Sequence, residues 1–410
     1  MAPWKFEALL APVLATIFLL AATDPSSAEK KYDPGASDTE IKIGNIMPYS
    51  GPASAYSVIG MAMAAYFKMI NEAGGINGRK IDFLSNDDAY SPPKTVEQAR
   101  RLVESDEVLF LAGPFGTAGN GAIQKYLNQK HVPQLYVVSG ASRFNDPKQF
   151  HWTMGLGATY KVETGIYAHY ILQERPSAKI AVLYQNDDAG KDLLKGLKLG
   201  LGDKASTMIV AESAYEVSEP TIDAHIVRLK ASGADVLLSL ATPKFAAQSI
   251  KKASELNWHP LHFLPVVSSS VGATLSPAGI QNSQNLISAA FLKDAMDPQW
   301  ADDPGMRKYL AFLTKDMPRA DKSDGLLATG YTTAQAVEFV LRRCGDDLTR
   351  ENVMRQAANF DHVSLDLFLP GIEINTGPTD YDAIKDMQLM RFEGASWRLF
   401  GQLIREVPKE

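Results

Sequence analysis

A glycine-rich segment, LAGPFGTAGNGAI at residues 111–123, stands where a short apolar run passes into a helical pattern. Glycines let the backbone approach a ligand closely, and the first turn of a helix offers unpaired N–H groups and the positive end of its dipole. Such a segment suits an anion. A bound phosphate would indicate an enzyme acting on nucleotides, whereas a bound carboxylate would indicate a different class of protein.

The spacing of the glycines argues against phosphate. A Walker loop ends in Gly-Lys followed by Ser or Thr, and residues 113–121 contain no lysine. The dinucleotide pattern G-x-G-x-x-G also fails, because Gly113, Gly116, Gly119 and Gly121 are three, three and two residues apart. The seven histidines and single cysteine form no recognisable ligand set, and G-x-S-x-G does not occur. We therefore expect no cofactor, no metal and no enzymatic activity.

Hydroxyl-bearing and small residues follow the first, third and fourth predicted strands: SGPASAYS at 50–57, PFGT at 114–117 and SGAS at 139–142. In a parallel sheet these loops converge on one edge. Thr117 and Ser142 would then offer hydroxyls, and neighbouring amides would offer N–H donors, a set that suits a carboxylate. The alternative is that each loop is an ordinary turn with an N-cap. The coincidence of three such loops favours a binding site.

The elements that position these loops alternate between strand and helix. Strand-like apolar runs alternate with helical patterns at 41–47, 54–73, 80–85, 92–105, 108–113, 117–130 and 133–140. The same rhythm restarts at 178–187 and continues to residue 241, and a turn-rich loop at 370–381 reads as following a strand. This pattern predicts an α/β protein of two lobes, each a doubly wound parallel sheet, with a ligand cleft between them. Short segments near 151–156 and 284–291 indicate more than one crossing between the lobes.

The N-terminus has the composition of an export signal. Residues 8–22 are apolar behind Lys5, and Ser26 with Ala28 forms the small-x-small pattern of a cleavage site. We expect residues 1–28 to be a cleaved signal peptide and the protein to reside in the periplasm. The alternative, a membrane anchor, is disfavoured because 15 apolar residues are short for a span. The net charge of −6 and the lack of a basic run argue against nucleic-acid partners.

Several segments resemble the periplasmic substrate-binding proteins of branched-chain amino-acid (Leu/Ile/Val-binding) ABC importers. They contain S-G-P, G-G-I-N-G, D-D-x-x-x-P and N-T-x-P-T-D-Y, and the resemblance runs from about Asp38 to about Gln402. It implies the type I fold of these proteins, with two lobes joined by a three-crossing hinge. The N-terminal lobe would comprise 38–153 plus 290–386, and the C-terminal lobe 154–289 plus 387–408. It also implies a monomer that closes on a small ligand and delivers it to a membrane permease.

The resemblance also nominates contact residues. In the family, hydroxyl residues at the positions of Thr117 and Ser142 hold the ligand carboxylate with nearby backbone amides, and an aromatic at the position of Tyr56 packs on the ligand. Arg143 follows Ser142 and could neutralise a carboxylate. The full set of expected ligand contacts is Tyr56, Phe115, Gly116, Thr117, Gly140, Ala141, Ser142, Arg143, Tyr160, Asp188, Ala189, Phe245 and Val267.

The second lobe departs from the amino-acid binders of the family, which hold the ligand ammonium with acidic residues. The corresponding stretches here, MGLGATYK (154–161) and PVVSSSVG (265–272), contain no acid. Because burying an ammonium without an anion is costly, we expect an aromatic or other amine-free carboxylic acid as ligand. Three alternatives remain: a branched-chain amino acid with Asp187 or Asp188 as ammonium partner, an amide such as urea, or a ligand-sensing receptor module.

Overall fold

The computed structural model describes residues 1–4 and 30–405, so the expected signal peptide lies almost entirely outside the described residues. The strands are β1 Lys31–Tyr32, β2 Glu40–Met47, β3 Lys80–Asp87, β4 Phe110–Ala112, β5 Gln134–Val137, β6 Thr153–Gly155, β7 Ile180–Gln185, β8 Ile209–Tyr215, β9 Val236–Leu240, β10 Leu261–Phe263, β11 Ile287–Ala290, β12 Asp347–Leu348, β13 Asp386–Glu393, β14 Ser396–Leu399 and β15 Ile404–Arg405. The α-helices are α1 Ser57–Glu72, α2 Pro92–Arg100, α3 Thr117–Gln129, α4 Tyr160–Glu174, α5 Asp188–Leu201, α6 Ala205–Met208, α7 Asp223–Ala231, α8 Pro243–Glu255, α9 Ser276–Ala278, α10 Pro304–Asp316, α11 Leu326–Cys344 and α12 Arg350–Ala357.

The first lobe is built on five parallel strands in the order β3-β2-β4-β5-β6. Helices cover both faces, which is why the strands read as nearly continuous apolar runs. On one face α1 packs against α11, and on the other α2 packs against α3 over a separate apolar cluster that includes Ile46, Leu102 and Leu127. The chain order of these strands reverses between β2 and β4, which opens a crevice at their carboxyl ends.

The second lobe repeats this topology. Its parallel strands lie in the order β8-β7-β9-β10-β11, and β13 and β14 then extend the same sheet with antiparallel pairing. Both lobes therefore have their second strand outside their first, and both have a crevice beside the first strand. The α/β fold with parallel sheets predicted from the alternating pattern is confirmed.

The segments predicted as lobe crossings contain the last parallel strand of each sheet. The chain leaves the first sheet after Gly155, leaves the second after Ala290, and returns to the second at Asp386. Between these last two points α11 packs back on α1 of the first lobe. The chain thus passes between the sheets three times, while the lobe boundaries by residue stay a prediction.

The loop at 370–381 does not follow a strand, which corrects the sequence interpretation. Residues 358–385, all of them described, form only isolated bridges, such as Val363 with Ile374 and Gly377 with Asp380. The apolar residues before the loop, including Leu367 and Leu369, are buried without a neighbouring strand to pair along their length. Among the described residues, no helix combines the length and apolarity needed to cross a membrane.

Candidate functional site

The largely apolar main chamber lies between the lobes at the carboxyl ends of their strands. It has a volume of about 90 Å³ and is bounded by loops that follow the strands of both sheets, by the start of α4 and by one face of α11. The main chamber is lined by Tyr56, Ile59, Phe115, Val138, Ser139, Gly140, Leu156, Tyr160, Glu163, Val266, Val267, Phe291, Leu292, Leu326, Thr329, Thr332 and others. This is where a small ligand would be enclosed in an α/β protein.

A smaller chamber of about 30 Å³ adjoins the main one, and we call it the polar chamber after the hydroxyl and amide groups in its wall. The two share the side chains of Tyr56, Phe115, Val138, Tyr160 and Val267. The polar chamber adds lining residues from both lobes: Tyr90, Gly116, Thr117, Gln185, Ala189 and Thr242.

Three hydroxyl groups meet where the polar and main chambers join. Thr117 Oγ1 lies 2.7 Å from Ser139 Oγ. The phenol of Tyr160, from the opposite lobe, lies close to both hydroxyls, and the Tyr160 backbone N–H donates to Gly140 O at 2.7 Å. Thr117 is the first residue of the 13-residue helix α3. The positive end of the dipole of this helix therefore lies beside the three hydroxyls. Hydroxyl donors beside a helix N-terminus suit an anion with two oxygens.

The start of α3 depends on Gly116. This residue has φ of +91°, and a Cβ there would lie 2.9 Å from Cε2 of Tyr90. The amides predicted to bind the ligand at this point are engaged elsewhere, because Phe115 N–H donates to Ile46 O and Gly116 N–H donates to Val138 O. Donors for an anion here are therefore the side-chain hydroxyls and the first turn of α3.

The structure brings eight of the thirteen expected contact residues to the walls of these two chambers. They are Tyr56, Phe115, Gly116, Thr117, Gly140, Tyr160, Ala189 and Val267. The rings of Tyr56 and Phe115 stack at 4.1 Å between centroids and form an aromatic wall. The contacts that these residues make with a ligand stay predictions.

The other five expected residues are Ala141, Ser142, Arg143, Asp188 and Phe245, and they are not among the lining residues of either chamber. Ser142 begins a short 3-10 turn, and Ser139 is the serine that meets Thr117. Arg143 donates its Nε to Gln124 Oε1, and its Nη1 lies 3.9 Å from Oδ2 of Asp188. Phe245 packs in the core of the second lobe on Tyr215, with ring centroids 4.4 Å apart.

Glu163 is a cavity residue that the sequence analysis missed. It stands one turn after Tyr160 on α4, so both project from the same helix face into the main chamber. Its Oε1 accepts hydrogen bonds from Val266 N–H at 2.7 Å and from Tyr167 O–H at 2.9 Å. Burial raises the pKa of Glu163 to about 7. The sequence did offer a signal for Glu163: it stands two residues past the stretch 154–161, three residues after Tyr160, which was itself an expected contact.

Tyr90 and Gln185 were also missed, and they connect the lobes beside the polar chamber. Tyr90 Oη, from the loop after β3, donates to Asp187 Oδ2 at 3.3 Å and accepts from Gln185 Nε2 at 3.3 Å. Asp187 also caps α5 by accepting from Gly190 N–H. The carboxylate of Asp187 is thus occupied by turn chemistry and by a contact across the cleft.

Thr332 on α11 lines the main chamber, and its buried Oγ1 has no hydrogen-bond partner within the part of the chain that the structure describes. Buried hydroxyls are normally paired, and this atom is an exception. Across residues 1–4 and 30–405, no three His, Cys, Asp or Glu side chains are grouped to hold a metal.

The comparison with known families decides the class of the protein. A family model described as periplasmic binding protein matches residues 40–396. The chain belongs to the periplasmic binding protein family. Members of this family are solute-binding proteins, and the resemblance noted in the sequence is confirmed.

Individual relatives of this periplasmic binding protein agree. It is 24% identical over 390 residues to Leu/Ile/Val-binding protein homolog 7 of Brucella suis, spanning 89% of this chain and 87% of that protein. Its fold is similar to that of a branched-chain amino-acid ABC transporter protein from Thermus thermophilus with bound valine (TM-score 0.80, 16% identity, 90% and 98% of the chains). It is also similar to a fatty acid ABC transporter substrate-binding protein from Thermomonospora curvata (TM-score 0.77, 19% identity, 92% and 95%). The type I fold is therefore shown.

Proposed function

We propose that this protein is the extracytoplasmic solute-binding component of an ABC importer and captures an aromatic or other amine-free carboxylic acid. The ligand would bind between the lobes, which close on it, and would be delivered to a membrane permease. We further propose that residues 1–28 direct export to the periplasm and that the protein acts as a monomer. The observation that carries the proposal is the junction of a hydroxyl-lined polar chamber with an apolar main chamber.

The polar chamber supports a carboxylate head group. Thr117, Ser139 and Tyr160 offer hydroxyls to two acceptor oxygens, and the N-terminus of α3 favours negative charge. A volume of about 30 Å³ exceeds the roughly 10–15 Å³ that a water molecule needs, so a group of a few heavy atoms fits there.

The main chamber supports an apolar body. Tyr56 and Phe115 present stacked rings, and aliphatic side chains such as Val267 and Leu326 complete the lining. The carboxyl group of Glu163 is the acid on this wall, and its raised pKa makes its neutral form abundant at pH 7 and below. An uncharged apolar body can pack beside a neutral carboxyl group without an unpaired buried charge.

The direct test is a thermal-shift screen of the processed protein after refolding to remove carried-over ligand. The panel contains benzoate, hydroxybenzoates, cinnamate-type acids, leucine, valine and urea. A ligand at 100 times its Kd stabilises the protein by about 2.7 kcal/mol, which is a readable shift. We expect shifts with the amine-free acids and none with leucine. A protein that responds to no amine-free carboxylate on the panel, or to leucine alone, would contradict the proposal.

A second candidate, an α-amino acid ligand, is favoured by one observation: Glu163 lines the main chamber and could bind an ammonium group when ionised. The variant Glu163→Gln separates the candidates. With an amine-free acid, affinity stays within about two-fold or improves because a like charge is removed. With an amino acid, loss of a charged hydrogen bond weakens binding by roughly ten-fold or more. Glu174→Gln, at an exposed position of the same helix, is the matched control.

A further inference from the structure

A third cavity, the distal chamber, lies on the other side of the main chamber from the polar one. Its volume of about 90 Å³ matches that of the main chamber. The main and distal chambers share Val266, Phe291, Leu292, Leu326 and Thr329. We propose that one ligand occupies all three chambers, and that the ligand is an extended amphipathic carboxylic acid whose chain passes from the main into the distal chamber. This inference rests on the proposed function and specifies its substrate class.

The side chains shared by the main and distal chambers separate the two chambers, and hydrogen bonds hold the backbone that carries these side chains. Val266 N–H donates to Glu163, and Phe291 O accepts from Leu369 N–H at 3.0 Å, so both segments are held in place. Phe291, Leu292 and Thr329 are only half-buried although they stand between the two chambers. Their exposed surface faces empty space inside the cleft. Rotation of such side chains lets a chain pass without moving the backbone.

The distal chamber has the chemistry of a tail site. Apolar and small side chains make up much of its wall, among them Val271, Ala289, Ala290, Ala328, Met390 and Trp397. Two of its charged groups are engaged within the protein: Lys293 Nζ lies 2.9 Å from both carboxylate oxygens of Asp303, and Asp294 accepts from the backbone N–H of Met296 and of Trp397. The third, Lys322, is exposed to solvent. The less exposed charges of this wall are therefore paired within the protein, and its mainly apolar surface suits a chain end.

The size of the ligand follows from the row of chambers. A ligand as small as leucine or benzoate would fill the polar and main chambers and leave the distal chamber without contacts, which forfeits dispersion attraction along its walls. A longer chain recovers those contacts and removes further apolar surface from water. Each methylene that enters should tighten binding about four-fold.

The test measures the affinity of straight-chain acids by calorimetry, from butanoate through hexanoate and octanoate to decanoate, with benzoate for comparison. We expect Kd to fall about three- to four-fold per methylene up to at least octanoate. The variant Ala328→Phe fills the distal chamber only, because Ala328 lines that chamber and not the main one. It should raise the Kd for octanoate at least ten-fold and change the Kd for butanoate and for benzoate by less than two-fold. Ala231→Phe, at an exposed position on α7, should change neither.

Binding of the short acids by Ala328→Phe shows that the variant is folded, and Ala328→Leu provides a milder obstruction with an intermediate effect. The inference is overturned if affinity peaks at acids of benzoate or butanoate size, or if Ala328→Phe weakens short and long acids equally. If acids of every length fail to bind, the proposed function itself fails, which is a different outcome.

Discussion

At the scale of single residues, the carboxylate site depends on which serine of the segment SGAS meets Thr117. Ser139 Oγ lies 2.7 Å from Thr117 Oγ1, whereas Ser142 begins a turn outside the chamber walls. A hydrogen bond to a charged group contributes about 1.5–3 kcal/mol, so Ser139→Ala should weaken binding of an acid ligand by ten-fold or more. Ser142→Ala should change the Kd for the same acid by less than two-fold when both variants are measured by calorimetric titration. The reverse ranking would assign the head group to Ser142.

Glu163 makes stability depend on pH in a predictable direction. Burial raises its pKa from 4.5 to about 7, so between these values the folded chain holds a proton that the unfolded chain has lost. This group therefore lowers the free energy of unfolding as pH rises through that window, by up to about 3 kcal/mol. The variant Glu163→Gln has no ionisable group at this position, so its free energy of unfolding does not fall for this reason. In urea unfolding, the free energy of unfolding of the variant relative to that of the natural protein should be higher at pH 8 than at pH 5. An equal difference at both pH values would refute the effect.

At the scale of elements, the loop from β3 to α2 and the loop from β7 to α5 are joined across the cleft by Tyr90. Its hydroxyl bonds to Asp187 and Gln185 at 3.3 Å each, and both contacts run between loops of the two sheets. Tyr90→Phe removes both and should raise the ligand dissociation rate about three- to ten-fold in stopped-flow experiments. Tyr126→Phe removes a hydroxyl bonded to Glu104 within the first lobe and serves as control. Equal rates in both variants would show that this contact does not hold the cleft closed.

At the scale of the whole molecule, the two lobes contact each other beside the polar chamber through Tyr90 with Asp187, Arg143 with Asp188 and Tyr160 with Gly140. A ligand in the cleft adds contacts to both lobes and should favour this closed arrangement. Small-angle scattering should show a smaller radius of gyration with a saturating acid than without it. Thermal unfolding should shift upward by a few degrees, with a smaller shift for Ser139→Ala at the same acid concentration. An unchanged radius with bound acid would contradict closure.

The site could be predicted in part because some of its features are local. Thr117 follows Gly116 at a strand-to-helix turn, and both were expected in the cleft from turn chemistry and from the family resemblance. Ser139 was within the quoted segment, but its place opposite Thr117 depends on how the loop after β5 packs against the start of α3. The same holds for Phe245, which was among the expected ligand contacts, although the core of the second lobe buries it against Tyr215.

What the sequence by itself determined is the alternation of strands and helices, the repetition of that pattern in two lobes, and the glycine and hydroxyl residues at strand ends. Hydrophobic periodicity and turn preferences are properties of short segments, so they can be read without coordinates. Only the tertiary structure decided that Glu163 reaches the main chamber, that Tyr90 meets Gln185 across the cleft, and that a distal chamber lies behind Phe291. These contacts join residues far apart in the chain or depend on which face a helix turns inward, and neither is encoded in local pattern.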